Sequence, residues 1–200
     1  MKRFSVITIL LSLWLTFAVA PSPALAKTRY YVGLQAVKEA KATKTCKLAK
    51  KANDLFLSLL DAEKTVTTRL EGNPAPRSKA FAAALKRQKL AGYATILRIT
   101  TCKHELQPPQ PGKSYKVLMV EVGIAIDAEK IPSGQLARAG MGSAQVGTEV
   151  SRIKPKELQS LREEALAAAT KHAVKRFIAT LDGKKTKKKS KARRSKRRRR

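Results

Sequence analysis

Acidic and aromatic residues are scarce in this chain, and cysteine occurs only twice. There are 14 Asp and Glu residues against 43 Lys and Arg residues, which gives a formal net charge of +29, and aromatic residues make up 5% of the 200 positions. A C-x-x-C pair is absent, which excludes the usual dithiol redox motif. The G-x-S-x-G and H-E-x-x-H motifs of two large hydrolase classes are also absent. We therefore expect a protein that is not an enzyme and needs no cofactor.

The amino-terminal segment has the pattern of an export signal. Met1-Lys2-Arg3 is basic, residues 4–20 are almost entirely apolar, and Ala24-Leu25-Ala26 fits the small-x-small cleavage pattern. This order predicts a secretory signal peptide over residues 1–26, the alternative being an uncleaved membrane anchor. The first cysteine is Cys46, so a lipid anchor at the cleavage site is not predicted. No later segment is long and apolar enough to cross a bilayer, and we expect an exported protein, periplasmic or extracellular, without a transmembrane span in its mature form.

The carboxyl-terminal segment is a run of basic residues. Residues 184–200 contain 13 Lys or Arg residues and no Asp or Glu. Mutual repulsion and the lack of large apolar side chains predict that this tail is a disordered polycation. Its attraction to anions should be long-ranged, sensitive to salt and of low specificity. The residues expected to bind polyanions are Lys184, Lys185, Lys187, Lys188, Lys189, Lys191, Arg193, Arg194, Lys196, Arg197, Arg198, Arg199 and Arg200.

The rest of the chain is also basic. Without the tail and the two charges of the signal segment, residues 27–183 keep 28 basic and 14 acidic residues, a net charge of +14. The expected partners are anionic envelope polymers or lipids. Nucleic acid is the alternative, with the tail as a non-specific arm, but the tail lacks the aromatic residues that stack on bases. A third hypothesis is a protein-interaction module whose partners are envelope proteins.

Hydrophobic periodicity predicts a single α/β domain over residues 27–183, in the order β-α-β-α-β-β-β-α. The first helix is expected to run from a cap at Thr45 to about Ala62, the second to be capped by Ser78, and the last to span Pro155 to about Leu181. A mixed sheet packed by helices buries these apolar faces economically, and the disordered basic tail follows it. The clearest strand alternates apolar residues on one face, namely Leu118, Val120, Val122, Ile124 and Ile126.

Three stretches of this layout carry a resemblance to known envelope proteins. They are the segment Leu85 to Leu97, with the strand entry Ala91-Gly92-Tyr93-Ala94-Thr95-Ile96-Leu97, the long strand pair 115–150, and the Ala-rich final helix. Together they resemble the small α/β domain of the group formed by the amino-terminal part of TolB, the curli secretion protein CsgG and the penicillin-binding-protein activator LpoB. The resemblance implies a non-enzymatic envelope accessory domain that binds other proteins, and it transfers no site residues.

The two cysteines predict a disulfide. In an oxidising compartment an even pair usually bonds, so Cys46 and Cys102 are expected to join the start of the first helix to the end of the third strand. A metal site is the alternative, because Cys102 and His104 would share a strand face, with Cys46 and His172 as further ligands.

A short glycine motif, Gly140-Met141-Gly142, lies in a predicted strand pair. A dinucleotide loop needs a third glycine, which would fall at Gln145, and must open a helix. The motif therefore favours close packing of a strand over a phosphate-binding loop.

Overall fold

The structure, a computed structural model, describes residues 29–109 and 115–183 of the chain. The predicted signal peptide at 1–26 and the basic tail at 184–200 lie outside these residues. The predicted fold class is confirmed, because the chain forms a single α/β domain with a five-stranded mixed sheet packed by helices. The strands are β1 (Tyr30–Glu39), β2 (Val66–Thr67), β3 (Ala91–Gln107), β4 (Lys116–Ile131) and β5 (Leu136–Val150), and they lie side by side in the order β2-β1-β3-β4-β5.

Helices occupy both faces of the sheet, and the described residues form α1 (Ala49–Asp61), α2 (Lys79–Arg87), α3 (Pro155–Leu181) and a 3-10 helix (Lys41–Cys46). The prediction that the first helix starts from a cap at Thr45 is wrong. The 3-10 helix takes up this segment and ends at Lys47, whose left-handed backbone (φ 53°) interrupts right-handed helical structure before α1 begins. The predicted cap of α2 is present, since the Ser78 hydroxyl accepts a hydrogen bond from the Phe81 N–H at 3.0 Å. None of the helices in the described part of the chain combines the length and the apolar composition that a bilayer crossing requires.

The sheet has one largely covered face and one largely open face. β1 is parallel to β2 and β3, whereas β3, β4 and β5 form an antiparallel meander. Every second residue of β4 from Leu118 to Ala128 is buried in the core that α1 and α3 complete. On the other face, α2 covers only the end of the sheet where β3 begins, through the cluster around Phe81 and Leu85.

The glycine motif allows α3 to approach β5 closely. A Cβ atom added at Gly140 would overlap the backbone carbonyl oxygen of Ala173, and one added at Gly142 would overlap that of Ala169. Ala169 and Ala173 are themselves completely buried. Small residues on both elements therefore set the distance between helix and strand, which is the packing role that the sequence favoured.

Candidate anion-binding surface

The end of α3, which precedes the basic tail in the sequence, lies next to the first strand. The Tyr30 hydroxyl donates to the carbonyl oxygen of Leu181 at 3.0 Å and lies 3.2 Å from Oδ1 of Asp182. Burial raises the pKa of Tyr30, and the hydrogen bond to the Asp182 carboxylate raises it further. Gly183 is the last described residue, so the 13 predicted polyanion-binding residues follow directly from this contact but lie outside the described part of the chain.

A second basic element lies inside the described fold. Five exposed lysines recur at every third position between the end of β1 and the first turn of α1. A 3-10 helix has three residues per turn, so Lys41 and Lys44 project from one side of it, while Thr43 and Cys46 are buried on another. We call the five residues the lysine row; they are Lys38, Lys41, Lys44, Lys47 and Lys50.

The disulfide and two hydrogen bonds attach this segment to β3. The Ala40 N–H donates to the Ile99 carbonyl at 3.4 Å. The Thr43 hydroxyl lies 3.4 Å from the same Ile99 oxygen and 2.9 Å from the Ala40 carbonyl oxygen within its own segment. Cys46 is bonded to Cys102 of β3, with their Cα atoms 6.6 Å apart, so the predicted pairing is present in the structure. The 3-10 helix thus lies along the edge of β3 beyond the point where β1 ends.

The charge of the lysine row is uncompensated. None of the five lysines forms an ion pair with a residue that the structure describes; the neighbouring Lys51 does, with its Nζ 3.6 Å from Oε2 of Glu163. Between positions 38 and 51 the sequence contains six lysines and one acid, Glu39. Adjacent strand residues point to opposite faces, so Glu39 points away from Lys38. The segment therefore carries a large excess of positive charge, which is suited to attract anions.

Comparison with known proteins finds fold likeness without a family assignment. No protein-family model matches the chain, and no curated protein sequence matches it. Among solved structures, a Xanthomonas campestris protein of the family DUF330 is 9% identical, with 82% of this chain and 94% of that chain covered and a TM-score of 0.45. A minor lipoprotein from Acinetobacter baumannii is 9% identical, with 76% and 94% covered and a TM-score of 0.35. PelC from Paraburkholderia phytofirmans is 13% identical, with 76% and 93% covered and a TM-score of 0.31. The more specific resemblance to the TolB, CsgG and LpoB group stays a prediction.

The cysteine and histidine side chains do not assemble as the alternative metal site requires. Both sulfur atoms are bonded to each other, so neither is available as a thiolate ligand in this state. His104 is exposed on β3, whereas Nδ1 of His172 lies 3.4 Å from the Ser143 carbonyl on β5, two strands away from Cys102. The residues that the structure describes contain no group of three or more His, Cys, Asp or Glu side chains that could hold a metal ion.

A polar groove lies where β5 ends and α3 begins. Ser151, Arg152, Lys154, Glu157 and Ser160 are among the residues that line it. Ser151 and Lys154 have the S-x-x-K spacing that some acyl-transfer enzymes use. However, Nζ of Lys154 lies 3.1 Å from Oε1 of Glu157, and both side chains are about half exposed. The lysine is thus engaged by a carboxylate in water and does not activate the Ser151 hydroxyl, so the groove offers no assembled nucleophile and base.

The lysine row was not predicted from the sequence as one basic surface. The residues from Thr45 onward were expected in an α-helix, which would have spread the following lysines around its circumference. The regular spacing of three was visible in the sequence. Its meaning depends on the 3-10 conformation, which the spacing alone did not reveal.

Proposed function

We infer that this is an exported, non-enzymatic protein of the bacterial cell envelope that is held to anionic surfaces or polymers by its polycationic tail. The domain serves as an interaction or accessory module, and envelope proteins are its further candidate partners. The observation that carries this proposal is the concentration of 13 basic residues, with no acid, in the 17 residues after the folded domain.

The strength of such attachment follows from the number of charges. Near an anionic membrane each basic residue contributes about 1 kcal/mol, so engagement of a few of the 13 would hold the protein. On duplex nucleic acid, engagement of all 13 would give a slope of roughly −12 for the logarithm of affinity against the logarithm of salt concentration. The domain adds to the attraction because residues 27–183 carry +14 themselves.

Nucleic acid remains the alternative ligand, because its phosphates satisfy the same charges. The tail has no aromatic residue to stack on bases, and an exported chain meets lipopolysaccharide, acidic lipids and cell-wall polymers first. These two considerations favour the envelope polyanions. A protein-binding role for the domain alone would instead appear as a partner that is retained at high salt.

The test compares three proteins as baits for envelope extract: residues 27–200, residues 27–183, and residues 27–200 with all 13 tail Lys and Arg residues replaced by Gln. Every described strand and helix lies within residues 30–181, so neither change removes an element of the fold. The Gln tail keeps the length of the wild-type tail and separates its charge from its bulk.

We expect only the wild-type tail to retain envelope material, and we expect salt to release it. If all three baits retain envelope material equally, or if residues 27–183 retain a discrete partner that salt does not release, the domain and not the tail is responsible for binding. Membrane association that only detergent releases would indicate an uncleaved anchor. A parallel titration with duplex DNA decides the alternative: affinity for DNA well above that for phosphatidylglycerol vesicles at equal salt would favour nucleic acid.

A further inference from the structure

We propose that the lysine row is a second polyanion site, built into the folded domain, which takes a linear polymer with repeated phosphate or sulfate groups. The proposal shares only the class of ligand with the proposed function. It concerns different residues, so the row and the tail can fail separately.

Two lysines of the row occupy positions where their side chains lower the stability of the fold. Lys47 is in the left-handed backbone region with φ 53°, where a glycine would avoid a strain of roughly 1 kcal/mol or more. Lys50 lies in the first turn of α1, which contains no acidic residue, so its charge meets the positive end of the helix dipole. No acidic residue in the first turn of α1 offsets the charge of Lys50, which leaves it available to an anionic ligand.

The two lysines at the centre of the row lie on the same side of the 3-10 helix. Along the 3-10 helix each residue rises about 2.0 Å, so Lys41 and Lys44 are separated by about 6 Å along its axis and lie on the same side. The disulfide of Cys46 and the hydrogen bond of Thr43 fix the backbone beneath them. Two aligned ammonium groups on a fixed backbone, with three further exposed lysines close by in sequence, suit a polymer with repeated anionic groups, and little backbone entropy is lost on binding.

A membrane surface fits the row less well than a polymer does. Interfacial binding combines basic side chains with apolar ones that enter the bilayer. The segment 38–51 contains no aromatic residue, and its one large aliphatic side chain, Leu48, is completely buried. The exposed large apolar side chains of the described residues lie on other segments, at Leu106, Leu136, Met141 and Ile153. The same lack of aromatics gives the row no means of stacking on bases.

The row and the start of the tail lie at opposite ends of β3. The tail starts beside Tyr30, which pairs with Ala91 at the beginning of β3, whereas the row is attached at Ile99 to Cys102. Ile99 is eight residue steps along β3 from Ala91, a distance of about 26 Å. This is about three Debye lengths at physiological salt, so charges in the row and at the tail's starting point interact weakly with each other.

The chain supplies a matched control for a substitution in the row. Lys89 is exposed, as Lys47 is, and has nearly the same left-handed backbone, with φ 55°. It lies just before Ala91, at the end of the domain where the tail begins. K47G and K89G therefore remove the same side chain and charge and relieve the same backbone strain, but at opposite ends of the domain.

The experiment measures binding of short-chain polyphosphate to residues 27–200 as wild type, K47G and K89G across a salt series. We expect K47G to weaken binding roughly fivefold, as for one lysine near a dense anionic charge, and to reduce the salt slope by about 1. K89G should change the affinity less than about twofold. Thermal unfolding should show K47G to be at least as stable as the wild type, because glycine relieves the strain at this position, so that weaker binding cannot be attributed to unfolding.

Two results would overturn the proposal. K47G and K89G could lower the affinity for polyphosphate equally, or K89G could lower it more, which would locate binding at the end of the domain where the tail is attached. Phosphatidylglycerol vesicles form the second arm of the experiment. If K47G loses more affinity for vesicles than for polyphosphate, the ligand of the row is a membrane and not a linear polymer.

The protein with the Gln tail distinguishes failure of the row from failure of the tail. If it binds as the wild type does and K47G still weakens binding, the tail's role fails and the row stands; if only the Gln tail weakens binding, the row fails and the tail stands.

Discussion

Removal of the disulfide between Cys46 and Cys102 should cost the domain a large part of its stability. The bond joins residues 56 positions apart, and a cross-link that closes a loop of this length lowers the entropy of the unfolded chain by the equivalent of about 4 kcal/mol. For a domain of this size, 1 kcal/mol corresponds to a shift in Tm of about 2–4 °C, so Tm should fall by roughly 8–16 °C. The same bond holds the 3-10 helix on β3, so its loss should also loosen the lysine row.

Two perturbations distinguish the contribution of the covalent cross-link to stability from the contribution of the packed sulfur atoms. Reduction of the wild type leaves both thiols in place and removes only the covalent constraint. The double variant Cys46→Ala and Cys102→Ala also removes a sulfur from a core position, since Cys46 is only 2% exposed. The variant should therefore lose somewhat more stability than the reduced wild type, because of the small cavity left at Cys46.

The assay is urea unfolding followed by far-UV circular dichroism, with and without reductant. Reductant should lower the free energy of unfolding of the wild type and leave that of the double variant unchanged. A loss below about 1 kcal/mol on reduction would refute the reasoning, since the calculation from loop length gives about four times that value. Such a result would mean that the bond constrains the unfolded chain far less than its loop length implies.

Three further predictions concern packing, a hydrogen bond and a helix cap. Gly142→Ala should lower the free energy of unfolding in urea by about 1–3 kcal/mol, because the new methyl group meets the backbone of α3. Gly147→Ala is the control: its methyl group would be closest to a flexible Met side chain, so the free energy of unfolding should change by less than about 0.5 kcal/mol. Tyr30→Phe should cost about 1 kcal/mol at neutral pH through loss of its hydrogen bonds at the end of α3. The pKa of Tyr30 is raised above 10.0 in the fold, so the unfolded chain loses this proton first and the difference between wild type and variant should shrink as pH rises above 10. Ser78→Ala should lower stability by about 1 kcal/mol in thermal unfolding, because α2 loses its capping hydrogen bond.

Each of these predictions has a result that contradicts it. Equal costs at Gly142 and Gly147 would mean that α3 can move away from β5 without penalty. A difference between wild type and the Tyr30 variant that stays constant or grows above pH 10 would contradict the raised pKa. An unchanged Tm for the Ser78 variant would show that α2 is held by its packing on the sheet alone.

Local patterns in the sequence were sufficient for most of the elements. The alternation from Leu118 to Ile126 identified β4 and its buried face, since successive strand residues point to opposite sides. Pro155 and the alanine-rich stripe identified α3 and its length. Ser78 identified the start of α2 by the capping chemistry of its own side chain. These features depend on residues that are close in sequence, so the chain alone expresses them.

The beginning of α1 and the extent of β3 needed the tertiary structure. Leu48 and the residues after it have helical spacing, but the 3-10 helix before them is held by contacts with Ile99 and Cys102 of β3, more than 50 positions away. β3 continues to Gln107, beyond Cys102, which was expected at the end of the third strand, because β4 pairs with β3 from Gly92 to Gln107. Pairing partners of this kind are distant in sequence, so local propensity does not encode where they stop.

The sequence by itself determined the charge of the protein, the presence of an export-like segment and a basic tail, and the order of strands and helices. The tertiary structure decided the strand order in space, the purpose of Gly140 and Gly142, and the alignment of the lysine row. Five lysines at intervals of three would point in several directions on an extended chain or an α-helix. Lys41 and Lys44 share one side of the segment because a disulfide and hydrogen bonds to a distant strand hold this central part in a conformation with three residues per turn.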